Sequence, residues 1–153
     1  MRFLLLLLMC LGPAAAADTL TGQATVIDGD TIEIHGQRIR LEGIDAPESR
    51  QSCTNAAGTE YHCGQAAAFA LADRIGRAVV KCEGDERDRY KRRLAVCSAD
   101  GIDLSAWLVE QGLAVAYRKY STAYVPQEDK ARTAMRGIWA GAFEMPWDWR
   151  KKR

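Results

Sequence analysis

Three observations predict an α+β domain that is mainly strand, a five-stranded barrel of the OB type carrying about three helices. Apolar and polar residues alternate from Thr31 to His35 and again from Gln37 to Leu41, which is the two-residue period of a half-buried strand. A turn signal, His35-Gly36, separates those two runs. Along the whole chain the order is three strands, helix, two strands, helix, short strand, helix, which suits short strands closed around one helix.

Residues 1–17 stand apart from that domain. Met1-Arg2 is a short positive start, Phe3 to Leu11 an apolar run, and Ala14 to Ala17 a stretch of small residues before Asp18. This is the pattern of a secretory signal peptide, and its apolar run is too short to span a bilayer. Cys10 would suit a lipoprotein leader after a small residue, but Met9 stands there. The mature domain is therefore expected to be 18–153, periplasmic or secreted, with no membrane attachment. Neither a repeat nor a low-complexity linker divides it, so a single domain is expected.

Within the domain, Gly22 to Ile27 alternates weakly and reads as the first strand. In the second, Thr31 to His35, Ile32 and Ile34 share a face; in the third, Gln37 to Leu41, Ile39 and Leu41 face one way and Arg38 and Arg40 the other. Pro47 stops this run because it cannot donate to a ladder. Ser49 to Gly64 is a polar loop. Gln65 to Arg77 is alanine-rich, with Phe69, Ala72 and Ile75 at helical spacing. Val79 to Cys82 and Leu94 to Cys97 read as strands around the charged turn Glu83 to Arg93. Asp103 is the expected N-cap of a helix through Gln111, with Leu104, Trp107 and Leu108 buried and Gly112 closing it. A short strand from Leu113 to Tyr117 and a last helix from Gln127 to Met135 complete the order.

Four cysteines follow the leader: Cys53, Cys63, Cys82 and Cys97. An even number in an exported chain implies two disulfides, with three possible pairings. Cys53 and Cys63 flank one polar loop, and Cys82 and Cys97 sit in runs that read as neighbouring strands, so Cys53–Cys63 and Cys82–Cys97 are favoured. Zinc is the alternative, but closely spaced paired ligands are lacking.

The chain carries 21 basic and 20 acidic residues, and the leader holds Arg2 and no acid, leaving 20 of each. A neutral domain lacks the overall basicity of a general polyanion binder. Binding of a polyanion would have to come from local arginines and a cation. The basic tail Arg150-Lys151-Lys152-Arg153 reads as a solvated end. The two histidines, His35 and His62, read as isolated, and Trp139, Trp147 and Trp149 as cover for the fold.

The chemistry concentrates around the first turns. Asp28 and Asp30 share a face if extended, Gly29 permits a tight turn between them, and Asp45 comes just past the third strand. Asp30 and Asp45 can converge on one ion, and oxygen-only ligands select a hard cation such as Ca2+ or Mg2+. Taken alone, Asp-Gly-Asp is more readily an ordinary turn. Arg40 changes that balance, because a guanidinium beside the acids can grip two phosphate oxygens. Glu48, just past Pro47, is placed to take a proton from water. Arg92 is a candidate for a second guanidinium that stabilises charge on an attacked phosphate, with Arg87, Arg89 and Arg93 as competitors.

The runs Asp28-Gly29-Asp30-Thr31, Arg40 to Glu48 and Asp88-Arg89-Tyr90-Lys91-Arg92, in that order, resemble the thermonuclease family, and the likeness extends from about Gly22 to about Trp139. The resemblance implies an OB-fold and Ca2+-dependent cleavage of DNA and RNA that leaves 3′-phosphate ends. It implies that Asp30, Asp45 and the main-chain carbonyl of Ala46 hold the calcium, that Arg40, Glu48 and Arg92 are the catalytic set, and that Tyr90 with Tyr117 or Tyr120 contacts the nucleotide. Stacking on tyrosine would favour single strands, and a monomer is expected. Two positions depart from the family pattern: Ala46 replaces a threonine and Lys91 replaces a glycine. If that glycine serves a positive φ, lysine there is strained. The competing reading is a non-catalytic OB module that binds single-stranded nucleic acid. The presence of all five of Asp30, Arg40, Asp45, Glu48 and Arg92 favours the enzyme.

Overall fold

A computed structural model describes residues 18–153. The leader assigned to 1–17 lies outside the described residues. The strands are β1 (Thr19–Gly22), β2 (Thr25–Asp28), β3 (Thr31–Ile34), β4 (Gln37–Leu41), β5 (Ile44–Asp45), β6 (Cys53–Thr54), β7 (Glu60–Tyr61), β8 (Val80–Glu83), β9 (Arg93–Ala99), β10 (Ile102–Asp103) and β11 (Val115–Ala116). The helices are α1 (Cys63–Ile75), α2 (Leu104–Glu110), α3 (Val125–Thr133) and α4 (Pro146–Lys151), with a 3-10 turn at Gly137–Ala140. The domain is thus α+β and mainly strand, as the sequence predicts.

The main sheet runs β1-β8-β9-β4-β3-β2, with β10 also paired to β9. Its ladders are antiparallel except for β4 beside β9, which is parallel. No ladder joins β1 to β2, so the hydrogen-bonded path is open. The His35 ring, at the β3–β4 turn, donates to the Thr21 carbonyl of β1 at 3.1 Å, which brings the far end of the path back toward that turn. The expected first strand is two. The chain pairs first with β8, then breaks at Gln23-Ala24 and pairs with β3. Short ladders β5–β11 and β6–β7 complete the strands, the second lying inside the polar cysteine loop.

The alternating residues behave as their period requires. Ile32, Ile34, Ile39 and Leu41 are wholly buried, each contributing roughly 1.5–3 kcal/mol, and Arg38 and Arg40 take the other face. α1 buries Cys63, Gly64, Ala67, Leu71 and Ile75, so of the expected stripe only Ile75 faces inward. Phe69 is exposed, because it lies two positions from both Ala67 and Leu71 and so projects from nearly the opposite side. α2 starts as anticipated: Asp103 accepts from the Ala106 amide at 3.1 Å, and the helix buries Leu104 and Leu108. Both favoured disulfides are present, Cys53–Cys63 and Cys82–Cys97. The latter joins residues directly opposite in the β8–β9 register.

A second, smaller core places the end of the chain. Cys53, Cys63, Val115 and Ile138 are buried together, and Tyr61, Trp139, Phe143, Met145 and Trp147 pack against them. α4 begins with Pro146 in the first turn, where a missing amide costs nothing. Among the described residues no helix is long and apolar enough to cross a membrane.

Candidate active site

The site forms where β3, β4 and β5 meet. Asp30 precedes β3, and its amide is capped by the Asp28 carboxylate at 3.1 Å. A bulge in β2 just before Asp28 shifts the register there, which re-aims the turn. The β3–β4 register sets Thr31 opposite Arg40. Arg40 therefore lies beside Asp30, and its Nη1 donates to Asp30 Oδ1 at 2.5 Å. Its Nη2 reaches Asp45 Oδ1 at 3.1 Å and the Ile44 carbonyl at 3.3 Å. Asp30 also accepts from the Thr31 hydroxyl and, at 2.8 Å, from the Ala46 amide. Asp45, held in β5 opposite Val115, is wholly buried.

Glu48 sits on a fixed loop. Its amide donates to Gln51 Oε1 at 3.1 Å, its carbonyl accepts from the Gln51 amide at 2.7 Å, and Gln51 Nε2 donates to the Glu144 carbonyl at 2.7 Å. The loop lies directly against the start of α1. A Cβ at Gly64 would stand 1.8 Å from the Glu48 carbonyl oxygen.

Of the four competing arginines, one reaches this cluster. Asp88 accepts from the Arg92 amide at 2.9 Å and from Arg92 Nε at 2.8 Å. Arg92 Nη1 then lies 3.4 Å from the Thr31 hydroxyl, to which it donates. Arg93 points away, donating to the Gly84 and Asp18 carbonyls. Arg87 donates to the Lys91 carbonyl, and Arg89 lies over the Tyr90 ring. Lys91 has φ of +65°, so lysine occupies the left-handed conformation that suits glycine.

Arg150 corrects the reading of the basic tail as a solvated end. α4 carries it onto the site, where Nη1 and Nη2 donate to the two oxygens of Asp45 at 2.9 and 2.8 Å. The same Nη1 donates to Glu48 Oε1 at 2.7 Å. The result is one hydrogen-bonded chain: Arg92, Thr31, Asp30, Arg40, Asp45, Arg150, Glu48. All five side chains singled out in the sequence belong to it. Thr31 and Arg150 are the connectors that sequence reasoning missed.

The aromatic candidates divide. Tyr90 is exposed, with the Arg92 guanidinium 5.4 Å from its ring centroid. Tyr117 is half-buried, stacked on Trp147 with centroids 5.3 Å apart and planes within 6°. Tyr120 meets the Tyr117 ring edge-on at 4.7 Å and is exposed. Trp147 is thus a cover for the fold, as expected, and also a direct neighbour of Tyr117.

The electrostatics follow from crowding. Burial, then the charge of Asp30, raises Asp28 to about 6. Burial raises Asp45 despite the hydrogen bonds from Arg150 and the charge of Arg40. Burial works against the charge on Arg40, but Asp30 and Asp45 outweigh it and its pKa goes up. The bonds to Asp45, ahead of those to Glu48, raise Arg150 likewise. Among the described residues no group of three or more His, Cys, Asp or Glu forms a ready-made metal cage. Asp30 and Asp45, both bonded to Arg40, carry the hard carboxylate oxygens that suit a divalent cation.

Comparison with known proteins places the chain in a family. Residues 38–141 match the family described as Staphylococcal nuclease homologue. The chain belongs to this family. Asp30 lies ahead of the matched stretch and Arg150 beyond it. The succinoglycan biosynthesis protein ExoI of Rhizobium meliloti (strain 1021) is 42% identical over 129 residues, covering 82% of this chain and 68% of that protein. An uncharacterized endonuclease of Escherichia coli O157:H7 is 33% identical over 149 residues, 92% of this chain and 91% of the relative. A micrococcal nuclease of Shigella flexneri is 33% identical over 144 residues, 82% and 77% of the two chains.

Proposed function

We propose that this nuclease of the staphylococcal family is an exported, Ca2+-dependent, sugar-nonspecific endonuclease that hydrolyses DNA and RNA and leaves 3′-phosphate ends. The observation that carries the reading is the single hydrogen-bonded chain linking Arg92 to Glu48 through both acids and Arg40. Bound Ca2+ would neutralise a phosphate oxygen and lower the pKa of water, held by Asp30, Asp45 and the Ala46 carbonyl. Arg40 and Arg92 bind the scissile phosphate from two sides and stabilise the charge that builds on it. Glu48 accepts the proton of the attacking water, and the bond to the 5′ oxygen breaks. None of these groups reads a base edge, so cleavage has little sequence preference. Exposed Tyr90 and Tyr120, with Tyr117, favour single-stranded substrate. The enzyme acts as a monomer in the periplasm or medium, its residues 1–17 removed on export. The return of β1 toward the β3–β4 turn supports reading the open sheet as an OB-type barrel.

The test is cleavage of single-stranded DNA by mature, oxidised protein with Ca2+ or chelator, beside Glu48→Gln. Calcium-dependent cutting to 3′-phosphate ends that collapses in the variant is expected. Binding of DNA without cutting in any condition would instead establish the non-catalytic OB module.

A further inference from the structure

The geometry points to Arg150 as a positioning residue that locks the proton-accepting carboxylate of Glu48 to the cation-side carboxylate of Asp45. This inference rests on the roles proposed above for those two acids. Three observations carry it. First, Arg150 Nη1 is shared between Asp45 Oδ1 at 2.9 Å and Glu48 Oε1 at 2.7 Å, so one atom sets the spacing of the two groups. Second, the two-pronged grip on Asp45, completed by Nη2 at 2.8 Å, fixes the plane of the guanidinium. A single ammonium cannot reproduce that fork. Third, α4 is anchored away from the two acids: Pro146 is buried, and Trp147 stacks on Tyr117 and packs against the smaller core. Arg150 thus comes from a helix seated on the smaller core.

The charge arrangement supports the same role. Asp45 is wholly buried, and Glu48 is partly exposed and faces no other described guanidinium within bonding distance. Among the described residues Arg150 is the group bonded to the Glu48 carboxylate, whereas Gln51 and the packing against Gly64 hold the main chain of its loop. A general base that wanders by an ångström loses much of its rate advantage. A positioning role for Arg150 makes a signed prediction. Removing it takes a cation away from Asp45, which leaves divalent-cation binding equal or tighter, while turnover falls because Glu48 is no longer held.

The experiment compares Arg150→Ala and Arg150→Lys, in the native and in the Glu48→Gln background, by cleavage kinetics on a labelled single-stranded oligodeoxynucleotide. Ca2+ affinity by calorimetry and melting temperature are measured beside it. Arg150→Ala is expected to lower kcat by at least about tenfold with KM within about twofold. Arg150→Lys should recover part of the loss. In the Glu48→Gln background, Arg150→Ala should add less than about a twofold further loss, since the two act through one group. Ca2+ affinity should hold or tighten. Three results would overturn the inference: native turnover in Arg150→Ala, an equal loss in both backgrounds, or Ca2+ affinity and melting temperature falling together with activity. Faster cutting with tighter Ca2+ binding would overturn it as well and make Arg150 an inhibitory latch. Native cutting by Glu48→Gln would instead strike down the role assigned to Glu48, whereas collapse of that variant beside a fully active Arg150→Ala would remove only the role of Arg150.

Discussion

Arg40 bridges Asp30 and Asp45, giving one nitrogen to each at 2.5 and 3.1 Å. The guanidinium is largely buried beside them, so its loss leaves Asp30 without its guanidinium partner and Asp45 held by Arg150 alone in a poorly solvated place. Breaking a buried ion pair from one side costs about 3–5 kcal/mol. Arg40→Ala should therefore lower the melting temperature in chelator. A divalent cation binding the same two acids would restore part of it. The Ca2+-induced rise in melting temperature should thus be larger in Arg40→Ala than in the native protein, while cleavage drops about a hundredfold. Equal rises in both proteins would mean that the cation does not bind at Asp30 and Asp45.

Arg92 depends on Asp88 in a comparable way, though at the surface end of the chain of bonds. Asp88 fixes both the main chain and the side chain of Arg92. Asp88→Asn should misplace the guanidinium and reduce turnover by roughly tenfold. Burial pushes Asp88 up, but the hydrogen bonds and charge of Arg92 prevail and hold it below the ordinary carboxylate value. A lowered folded pKa means that the stability this acid contributes is fully present above its ordinary value and is lost as pH falls through the lower one. The difference in melting temperature between native protein and Asp88→Asn should be clear at neutral pH and vanish in acid. A difference that persists at pH well below the ordinary carboxylate value would show that charge is not its origin.

The parts of this site that were legible in the sequence are those set by local period and short spacing. Alternation put Ile39 and Leu41 inside and left Arg40 on the other face. The tight Asp28-Gly29-Asp30 turn and the short distance to Asp45 brought the acids together. Cys82 and Cys97 read as cross-strand partners because each lay in its own apolar run. Arg150 was not legible for the opposite reason. It is 105 positions from Asp45 in sequence, and nothing in Pro146-Trp147-Asp148-Trp149-Arg150 states which surface its aromatics will meet. Basic residues near a chain end usually are solvated, so the local signal was misleading. Phe69 failed differently. Its spacing to Ala72 and Ile75 was helical, but Ala67 and Leu71 define the buried stripe, and small alanines give a weak apolar signal. Among the arginines of the charged turn, sequence spacing could not separate Arg92 from its neighbours. The anchoring by Asp88 did.

Lys91 offers a test of strain that leaves the chemistry alone. Its φ of +65° costs an L side chain roughly 1–2 kcal/mol. Glycine would remove that cost and add back roughly 0.5–1 kcal/mol of unfolded-state freedom. Lys91→Gly should therefore stabilise the protein by about 0.5–1 kcal/mol. Arg92 should keep its place, because Asp88 rather than the lysine side chain positions it. Chemical denaturation and cleavage kinetics measured together check both halves. A gain in stability accompanied by a large change in turnover would show that the strained turn itself tunes Arg92.

The loop under Glu48 is tight enough that a single methyl group should be felt at the site. A Cβ on Gly64 would meet the Glu48 carbonyl oxygen at 1.8 Å, the Glu48 carbonyl carbon at 2.5 Å and the Pro47 carbonyl oxygen at 3.0 Å. All three are main-chain atoms, so no flexible side-chain tip can yield. Either α1 or the Glu48 loop must move, and α1 is held by the burial of Ala67, Leu71 and Ile75 and by the Cys53–Cys63 disulfide. Gly64→Ala should cost about 1–3 kcal/mol and lower kcat, since the displaced element carries the base. Gln51→Leu attacks the same loop from the other side. It strips the Glu48 amide and the Glu144 carbonyl of their part-buried hydrogen bonds, each contributing about 0.5–1.5 kcal/mol. In both variants Arg40 and Arg92 stay in place, so affinity for single-stranded DNA, read by fluorescence anisotropy in Ca2+, should change by no more than about twofold while turnover falls. If Gly64→Ala binds and cuts like the native protein, the packing of α1 against this loop is not what sets the position of Glu48.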